Sequence, residues 1–214
     1  MYLIGLTGSI GMGKSQTAAL FEAEGVPRYD ADAAVHALYE KNGAAVAPIA
    51  ALVPEAVKDG AVDRAILGQH VLGDAEKLKR LEAIVHPLAG REQMAFLMQN
   101  EAAGTKAVVL DIPLLLENGG EAYVDSVVVV SAPYDMQRAR VLARPGMSEE
   151  RFEAILAKQM PDADKREKAE FIVDSSISVE DAHRQIRAIM ASIDGRTGTA
   201  FAARKAAFEK PDSA

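Results

Sequence analysis

A glycine-rich segment near the N-terminus carries the residues best suited to chemistry. Residues 8–15 read Gly-Ser-Ile-Gly-Met-Gly-Lys-Ser and match the spacing G-x-x-x-x-G-K-[ST] at every fixed position. With average residue usage, a chance match arises in about one chain in a hundred of this length. The segment therefore predicts a loop that binds the phosphates of a nucleoside triphosphate. The alternative is a glycine-rich turn between a strand and a helix that holds no ligand.

The residue types in this segment fit phosphate binding. Glycines let the backbone turn with its N–H groups pointing inward as a nest for anionic oxygens, and the start of a helix adds its positive dipole end. Lys14 supplies a charge for the β- and γ-phosphates, and the hydroxyl of Ser15 can bind Mg²⁺. The residues that we expect to bind ATP are Gly8, Gly11, Met12, Gly13, Lys14, Ser15 and Gln16.

Three carboxylates follow predicted strands. Asp30 and Asp32 come after a short apolar segment, and Asp32 could also cap the helix that follows. Asp111 ends a longer apolar run, where a carboxylate could reach Mg²⁺ directly or through water, or orient a substrate. The alternative for Asp111 is to cap the turn at Pro113.

A cluster of arginines offers a second cationic group. Arg138, Arg140 and Arg144 lie within seven positions and are followed by a Pro-Gly pair, so the next helix could move as a lid. Arginine suits the clamping of a transferring phosphoryl group, and we favour Arg140 and Arg144 for that role. Lys158 and Gln159 are weaker candidates for phosphate contact. The alternative is an ordinary solvated helix face with ion pairs.

Continuous apolar runs predict the elements that must position these groups. They are Tyr2–Thr7, Ala107–Asp111, Ser126–Ser131 and Phe171–Asp174. Strands that are apolar on both faces and alternate with helices are typical of a parallel sheet covered by helices. We therefore predict an α/β fold in which the glycine-rich segment follows the first strand.

The stretch between residues 44 and 104 has a different pattern, and we predict no strand in it. Asp63 could cap one helix and Asp74 a second one that ends near Pro87, with a third helix continuing to about Ala102. This stretch resembles a helical lobe inserted into the α/β frame.

Composition limits the class of protein. The chain has 214 residues, 49% of them apolar and 26% charged, no cysteine and a net charge of −7. These values exclude disulfide scaffolds, thiolate metal sites and thiol nucleophiles, and they argue against a broad nucleic-acid surface. No apolar run approaches a membrane span, and no basic leader precedes an apolar stretch. We expect a cytoplasmic protein that binds neither membrane nor nucleic acid.

The motif set narrows the nucleotide-binding class. No guanine-reading Asn-Lys-x-Asp occurs, and a short acidic chain with an inserted helical lobe suggests a kinase of a small molecule. Beyond the phosphate loop, the ordered segments that match one family are YDADA at 29–33, DGAVDRAIL at 59–67, LEAIVHP at 81–87, LDIPLLLEN at 110–118, QRARVLAR at 137–144, ILAKQM at 155–160 and AEFIVDSS at 169–176. From residue 3 to about residue 190 the chain resembles the dephospho-CoA kinase family.

This resemblance implies a reaction and roles for particular residues. It implies phosphorylation of the ribose 3′-hydroxyl of dephospho-CoA by ATP, the last step of coenzyme A synthesis. By analogy Asp32 is the base for the acceptor hydroxyl, while Arg64 and His86 lie on the dephospho-CoA side. For His86 a simple helix-end contact is the alternative. The departures are Ser9, Gln16 and Ser175, where the family often has Gly, Thr and Asn.

The expected organisation is a single kinase domain over residues 1–195. Its core comprises 1–43 and 105–195, its helical acceptor lobe about 44–104 and its lid about 140–165. The tail 196–214 lies outside the resemblance, and could form a helix with Phe201, Lys205 and Phe208 on one face or a frayed end. We favour a monomer. The alternatives are a kinase of another metabolite, such as a nucleoside monophosphate, and a nucleotide-binding module that does not catalyse transfer.

Overall fold

The computed structural model describes residues 1–210. Within this range the seven strands are β1 (Tyr2–Thr7), β2 (Arg28–Asp30), β3 (Val57–Lys58), β4 (Ala61–Val62), β5 (Ala107–Asp111), β6 (Ser126–Ser131) and β7 (Phe171–Asp174). The α-helices are α1 (Lys14–Ala23), α2 (Ala31–Tyr39), α3 (Val46–Leu52), α4 (Arg64–Val71), α5 (Ala75–Ala102), α6 (Tyr134–Leu142), α7 (Glu149–Leu156), α8 (Asp162–Lys168), α9 (Val179–Ile193) and α10 (Ala200–Phe208). No helix in this range is long and apolar enough to cross a bilayer.

A five-stranded sheet in the order β2-β5-β1-β6-β7 forms the frame of the molecule. The central strand β1 runs parallel to β5 and β6, and β6 runs parallel to β7. All six residues of β1 and of β6 are buried, as expected for strands covered by helices on both faces. The predicted α/β fold with a parallel sheet is confirmed. Its register pairs Leu6 with Asp111, which places Asp111 beside the end of β1.

Helices α1 and α9 pack with the sheet into the main apolar core. Phe21 of α1 and Ile186 of α9 are fully buried together with Ile4 and Val128 of the sheet. Each large side chain removed from water contributes roughly 1.5–3 kcal/mol, so this layer fixes α1 against the sheet. The loop between β1 and α1 is consequently held at both ends.

The chain divides into two compact units, one formed by Met1–Tyr29 with the residues from Asn100 onward, the other by Asp30–Gln99. The second unit starts at Asp30 rather than near residue 44, so α2 belongs to it. The reason lies in packing: Leu38 of α2 is buried with Ile49, Leu67 and Val85 of the same unit.

The expectation of no strand in this second unit is wrong. β3 and β4 form a short antiparallel hairpin, with Val57 opposite Val62. Asp59 and Gly60 join the strands with φ values of 51° and 80°. Asp-Gly is a strong signal for a tight hairpin turn, because both positions tolerate positive φ. That signal was present in the sequence.

The predicted break of a helix at Pro87 is also wrong, because α5 continues through it. A proline inside a helix removes one backbone hydrogen bond and typically costs about 3 kcal/mol. The buried side chains of α5 lie on both sides of the proline: Leu81, Val85, Met94 and Leu97. Their burial offsets the lost hydrogen bond, and a single 28-residue helix results.

The C-terminal helix α10 is tied to the first strand through Asp125. One carboxylate oxygen of Asp125 accepts from the amides of Thr199 and Ala200 at 2.7 and 2.9 Å, and the other accepts from the amide of Leu3 at 2.7 Å. Phe201 is buried, so α10 is a packed helix rather than a frayed end. Residues 211–214 of the tail lie outside the described residues.

Candidate active site

The glycine-rich loop has the geometry that its sequence predicts. Gly11 and Gly13 have φ values of 80° and 91°, which other residues rarely adopt. A Cβ on Gly8 would lie 2.8 Å from the carbonyl oxygen of Val130, and one on Gly11 only 2.5 Å from Cγ2 of Val141. All three glycines are therefore required by this backbone. The turn is closed by a hydrogen bond from the Met12 amide to the Ser9 carbonyl at 3.1 Å.

The loop presents backbone donors at the start of α1. Helix α1 begins at Lys14 with no side-chain cap, and the first amides of any helix lack carbonyl partners within it. Within residues 1–210 the amides of Gly11, Gly13, Lys14 and Ser15 have no hydrogen-bond acceptor. A row of free amides at a helix N-terminus favours an anion such as a phosphate.

Lys14 lies against a buried carboxylate at the foot of this loop. Its Nζ is hydrogen-bonded to Oδ1 of Asp111, whose side chain is 1% exposed. Arg28 of β2 donates to Oδ2 of the same carboxylate from Nε at 3.0 Å and from Nη2 at 2.7 Å. Asp111 therefore receives two cations and does not cap the turn at Pro113. Arg28 was missed by the sequence analysis.

The arginine cluster divides into three different environments. Arg138 forms a two-point ion pair with Glu149, and this hydrogen bond raises the pKa of the guanidinium. For Arg138 the simple ion-paired helix face is therefore correct. Arg144 follows the C-terminus of α6, and its side chain is exposed.

Arg140 lies at the phosphate loop but is bonded to the segment after β7. Its Nη1 and Nη2 donate to the hydroxyl and the carbonyl of Ser175 at 2.9 and 2.7 Å. The hydroxyl of Ser175 donates in turn to the carbonyl of Met12 at 2.7 Å. Two of the five N–H donors of this arginine are used here, so others remain for a ligand. Ser175 thus links Arg140 to the loop.

The side chain of Gln159 forms a hydrogen bond with the backbone of the loop, whereas the sequence suggested a contact with a phosphate. Its Oε1 accepts from the amide of Ile10 at 3.0 Å. A second glutamine that the sequence analysis missed, Gln137, donates to the carbonyl of Ile10 at 2.8 Å. Both contacts join residues far apart in the chain, so no local pattern could have indicated them.

A buried ion pair fixes the segment after α7 to the loop after β5. Lys165 of α8 is fully buried and lies 2.7 Å from Glu117, which also accepts from the Met160 amide at 2.9 Å. Burial raises the pKa of Glu117, but the ion pair with Lys165 and the hydrogen bond from the Met160 amide outweigh it and hold the pKa below its usual value. Glu117 of the LDIPLLLEN segment is therefore an anchor of this segment.

The second unit carries the residues expected on the acceptor side. Asp30, not Asp32, caps α2, since its Oδ1 accepts from the Ala33 amide at 2.9 Å. Asp32 is exposed in the first turn of the same helix. Its carboxylate is therefore not needed for capping and is available for other chemistry.

Arg64 and His86 are exposed in the same unit. Arg64 is the first residue of α4, whose cap is Asp63. Burial raises the pKa of Tyr39, and the nearby Arg64 guanidinium partly opposes this rise. His86 lies in the middle of α5 rather than at a helix end, so a helix-end contact does not explain it.

The unit that contains the phosphate loop offers two candidate side-chain ligands for Mg²⁺. Mg²⁺ keeps several waters and usually takes one or two protein ligands together with phosphate oxygens. The exposed hydroxyl of Ser15 matches that requirement. The carboxylate of Asp111 is buried and bonded at both oxygens, so it would reach Mg²⁺ through water or after Lys14 moves to the phosphates. In residues 1–210 no group of three or more His, Asp or Glu side chains is arranged to hold a metal alone.

Comparison with known proteins assigns the family. The family model for dephospho-CoA kinase matches residues 2–181. The dephospho-CoA kinase of Mesorhizobium japonicum is 54% identical over 199 residues, which cover 93% of this chain and 100% of that protein. That of Brucella melitensis is 50% identical over 200 residues, or 94% of this chain and 99% of the relative.

Solved structures agree with this assignment. A Thermus thermophilus protein superposes with a TM-score of 0.78 at 40% identity, covering 91% of this chain and 98% of that chain. The dephospho-CoA kinase of Campylobacter jejuni gives a TM-score of 0.60 at 26% identity, covering 89% and 96%. Since the model, the relatives and the phosphate loop all agree over nearly the whole chain, it belongs to the dephospho-CoA kinase family.

Proposed function

We propose that this protein transfers the γ-phosphoryl group of ATP to the ribose 3′-hydroxyl of dephospho-CoA, the last step of coenzyme A synthesis. The observation that carries the proposal is the free-amide loop with Lys14 at a buried Asp111, in a chain whose family is dephospho-CoA kinase. A monomeric cytoplasmic enzyme fits this role, with the Mg²⁺ complex of ATP as donor.

On the donor side, the loop amides and Lys14 bind the triphosphate. Lys14 exchanges its bond to Asp111 for one to the phosphates. Arg28 stays on Asp111 during that exchange, so the buried carboxylate keeps one counterion. Mg²⁺, held by Ser15 and Asp111, would neutralise charge on the β- and γ-phosphates.

Arginine donors complete the charge balance on the transferring group. Arg140 is placed against Gly13: a Cβ on this glycine would lie 3.7 Å from Nη1. Arg144 is exposed at the start of the expected lid segment and is free to reorient. Charge develops on the phosphoryl oxygens in the transition state, so donors aimed there act on kcat.

On the acceptor side, Asp32 takes the role of base. Its carboxylate is exposed and is not used to cap α2. It orients the 3′-hydroxyl and accepts its proton as the new P–O bond forms and the β–γ bridging bond of ATP breaks. Arg64 and His86 supply charge and hydrogen bonds to the phosphates of dephospho-CoA.

A coupled assay of ADP release tests the function directly. Purified protein is given Mg-ATP with dephospho-CoA, AMP or adenosine as rival acceptors. We expect turnover with dephospho-CoA that exceeds turnover with the other two by orders of magnitude, and a product with a 3′-phosphate by mass spectrometry. Preference for AMP would replace the proposal by a nucleoside monophosphate kinase. ADP release that no acceptor stimulates would indicate a nucleotide-binding module.

A further inference from the structure

Both backbone polar groups of Ile10 are occupied by glutamine side chains. The carbonyl oxygen of Ile10 accepts from Nε2 of Gln137 at 2.8 Å, and its amide donates to Oε1 of Gln159 at 3.0 Å. Ile10 lies between Gly8 and Gly11. The two glutamines thus hold the loop at the residue just before its free amides begin.

The two glutamines approach the loop from different elements. Gln137 lies on α6 and is 3% exposed. Its backbone carbonyl oxygen would lie 2.9 Å from a Cβ on Gly11, so α6 approaches the loop closely. Gln159 lies between α7 and α8, where its amide donates to the Leu156 carbonyl at 2.9 Å. Both glutamines line a cavity of about 450 Å³ together with Ser9. The loop is therefore joined to two separate parts of the chain through one residue.

The chemistry of the partners fixes the orientation of each side-chain amide. A carbonyl oxygen can only accept, so the NH₂ group of Gln137 must face it. A backbone N–H can only donate, so the oxygen of Gln159 must face it. The same residue type therefore does opposite work at the two positions, with Gln137 as donor and Gln159 as acceptor.

We propose that Gln137 and Gln159 are positioning residues that fix the phosphate loop for ATP through Ile10. With the amide of Ile10 occupied by Gln159, the nest begins at Gly11, and its shape depends on where Ile10 is held. The side-chain hydrogen bonds of both glutamines go to the backbone of the phosphate loop, so their loss weakens ATP binding and leaves the acceptor step unchanged. The proposal rests on the proposed function only in taking ATP as the nucleotide.

The same isosteric substitution at both positions separates the two roles. Gln137→Glu replaces the donor by a carboxylate that faces a carbonyl oxygen, so the hydrogen bond is lost and an acceptor faces an acceptor. Gln159→Glu keeps an oxygen for the Ile10 amide. Each variant adds one negative charge near the triphosphate, so the charge effect is common to both. Gln99→Glu, at an exposed position of α5, is the control for a change of one unit in net charge.

The measurement is direct titration of Mg-ATP by a fluorescent analogue, without acceptor, together with KM for both substrates and kcat. We expect Gln137→Glu to weaken ATP binding by about tenfold or more, the factor set by one lost hydrogen bond. For Gln159→Glu and the control we expect about threefold or less. KM for dephospho-CoA and kcat should stay near wild type. Equal losses at the two positions, or losses confined to kcat, overturn the proposal.

A second pair of variants decides the matter if Gln137→Glu does not fold. Gln159→Met removes the oxygen that accepts the hydrogen bond from the Ile10 amide, at nearly constant side-chain volume. Gln159→Glu keeps such an oxygen. ATP affinity must then fall for Met and be retained for Glu at equal melting temperature. If the two variants bind ATP equally, Gln159 does not position the loop and the proposal fails. The ATP titration is carried out without a phosphoryl acceptor. Its result can therefore be interpreted even if the proposed kinase reaction is wrong.

Discussion

Arg28 donates to one oxygen of Asp111 from two of its nitrogens, while Lys14 is bonded to the other oxygen of the same carboxylate. The two cations therefore share one buried anion at the end of β5. An arginine fork holds a carboxylate with fixed geometry, whereas a lysine on a flexible stem exchanges partners readily. This difference assigns Arg28 to hold Asp111 and Lys14 to move between it and the nucleotide.

Arg28→Ala should lower stability and weaken ATP binding. Asp111 keeps Lys14 as a counterion in this variant, so the cost should stay below the roughly 3–5 kcal/mol of a buried charge left with none, and the melting temperature should fall by several degrees. KM for ATP should rise, because Lys14 becomes the remaining cation on Asp111 and leaves it less readily. The double variant Arg28→Ala/Asp111→Asn should recover part of the lost melting temperature. Additive losses in calorimetry would contradict the coupling.

Lys14→Ala should abolish turnover while the fold persists. The loss of the charge on the β- and γ-phosphates should lower kcat by at least about a hundredfold, as for other groups that stabilise developing charge. Lys14 is also bonded to buried Asp111 and is one of its two counterions. A moderate fall in melting temperature is therefore expected, smaller than for Arg28→Ala. Circular dichroism and a steady-state assay check both, and near-native kcat would refute the loop assignment.

Arg140→Ala and Arg144→Ala should differ in their effect on the melting temperature. Arg144→Ala should lower kcat more than it raises KM for ATP, with an unchanged melting temperature, since its side chain is exposed. Arg140→Ala should lower both kcat and the melting temperature, because its bonds to Ser175 are lost. Ser175→Ala is the matched control, which should reproduce the loss of stability with less effect on kcat. Equal melting temperatures for Arg140→Ala and Arg144→Ala would contradict this division.

Asp32 and Asp30 should differ in kcat. Asp32→Asn removes the proposed proton acceptor, and a positioned base usually contributes about 10²–10⁴-fold, so kcat should fall by at least the lower figure. Asp30→Asn keeps the cap of α2, since Asn is as good an N-cap as Asp, and should cost little stability. Both variants are measured with saturating dephospho-CoA. A greater loss of kcat for Asp30→Asn at unchanged melting temperature would reverse the assignment.

The Glu117–Lys165 pair predicts a pH-dependent contribution to stability. Because the folded state holds the pKa of Glu117 below its usual value, the stabilisation is present above the unfolded pKa and is lost as pH falls through the folded one. At pH 7 Glu117→Gln leaves buried Lys165 without its counterion, which costs about 3–5 kcal/mol. The difference in unfolding free energy between wild type and variant should narrow below about pH 4.5.

A matched control for this pair lies in the same segment. Glu121 pairs with Lys168 at 2.8 Å, but this lysine is largely exposed. Glu121→Gln should therefore change the unfolding free energy far less at every pH. Chemical denaturation of wild type and both variants between about pH 3 and pH 7 makes the comparison. Equal losses of unfolding free energy for Glu117→Gln and Glu121→Gln at pH 7 would show that burial of Lys165 is not the source of the effect.

The sequence predicted the parts of this molecule that depend on neighbouring residues. The loop at 8–15 and the bounds of β1, β5, β6 and β7 are local patterns of glycine spacing and apolar runs, and the structure confirms them. The Asp59-Gly60 pair is an equally local signal, and it favours the hairpin that the structure shows. The assignment of Asp32 to the acceptor came from family resemblance, and its role stays a prediction.

Contacts between distant residues could not be predicted in this way. Arg28 meets Asp111 across 83 positions, and Gln159 meets Ile10 across 149. Each contact depends on the order of the strands and the placement of the helices, which the helix and strand propensities of single residues do not determine. The continuation of α5 through Pro87 is similar, because burial on both sides of the proline outweighs a local preference. Tertiary packing decided all three.

The carboxylate of Asp125 joins the first strand to the start of the last helix. It holds Leu3 of the first strand and Thr199 at the start of the last helix, and a Cβ on Gly198 would lie 2.4 Å from the Met1 carbonyl. The segment that precedes α10 therefore lies against the first residues of the chain. A circular permutant that joins residue 198 to residue 1 and opens the chain at exposed Gly146 would keep the sheet, but would lose the closing helix. Since β1 leads directly into the phosphate loop, a change at Asp125 or at the start of α10 acts on the strand that delivers the nucleotide site.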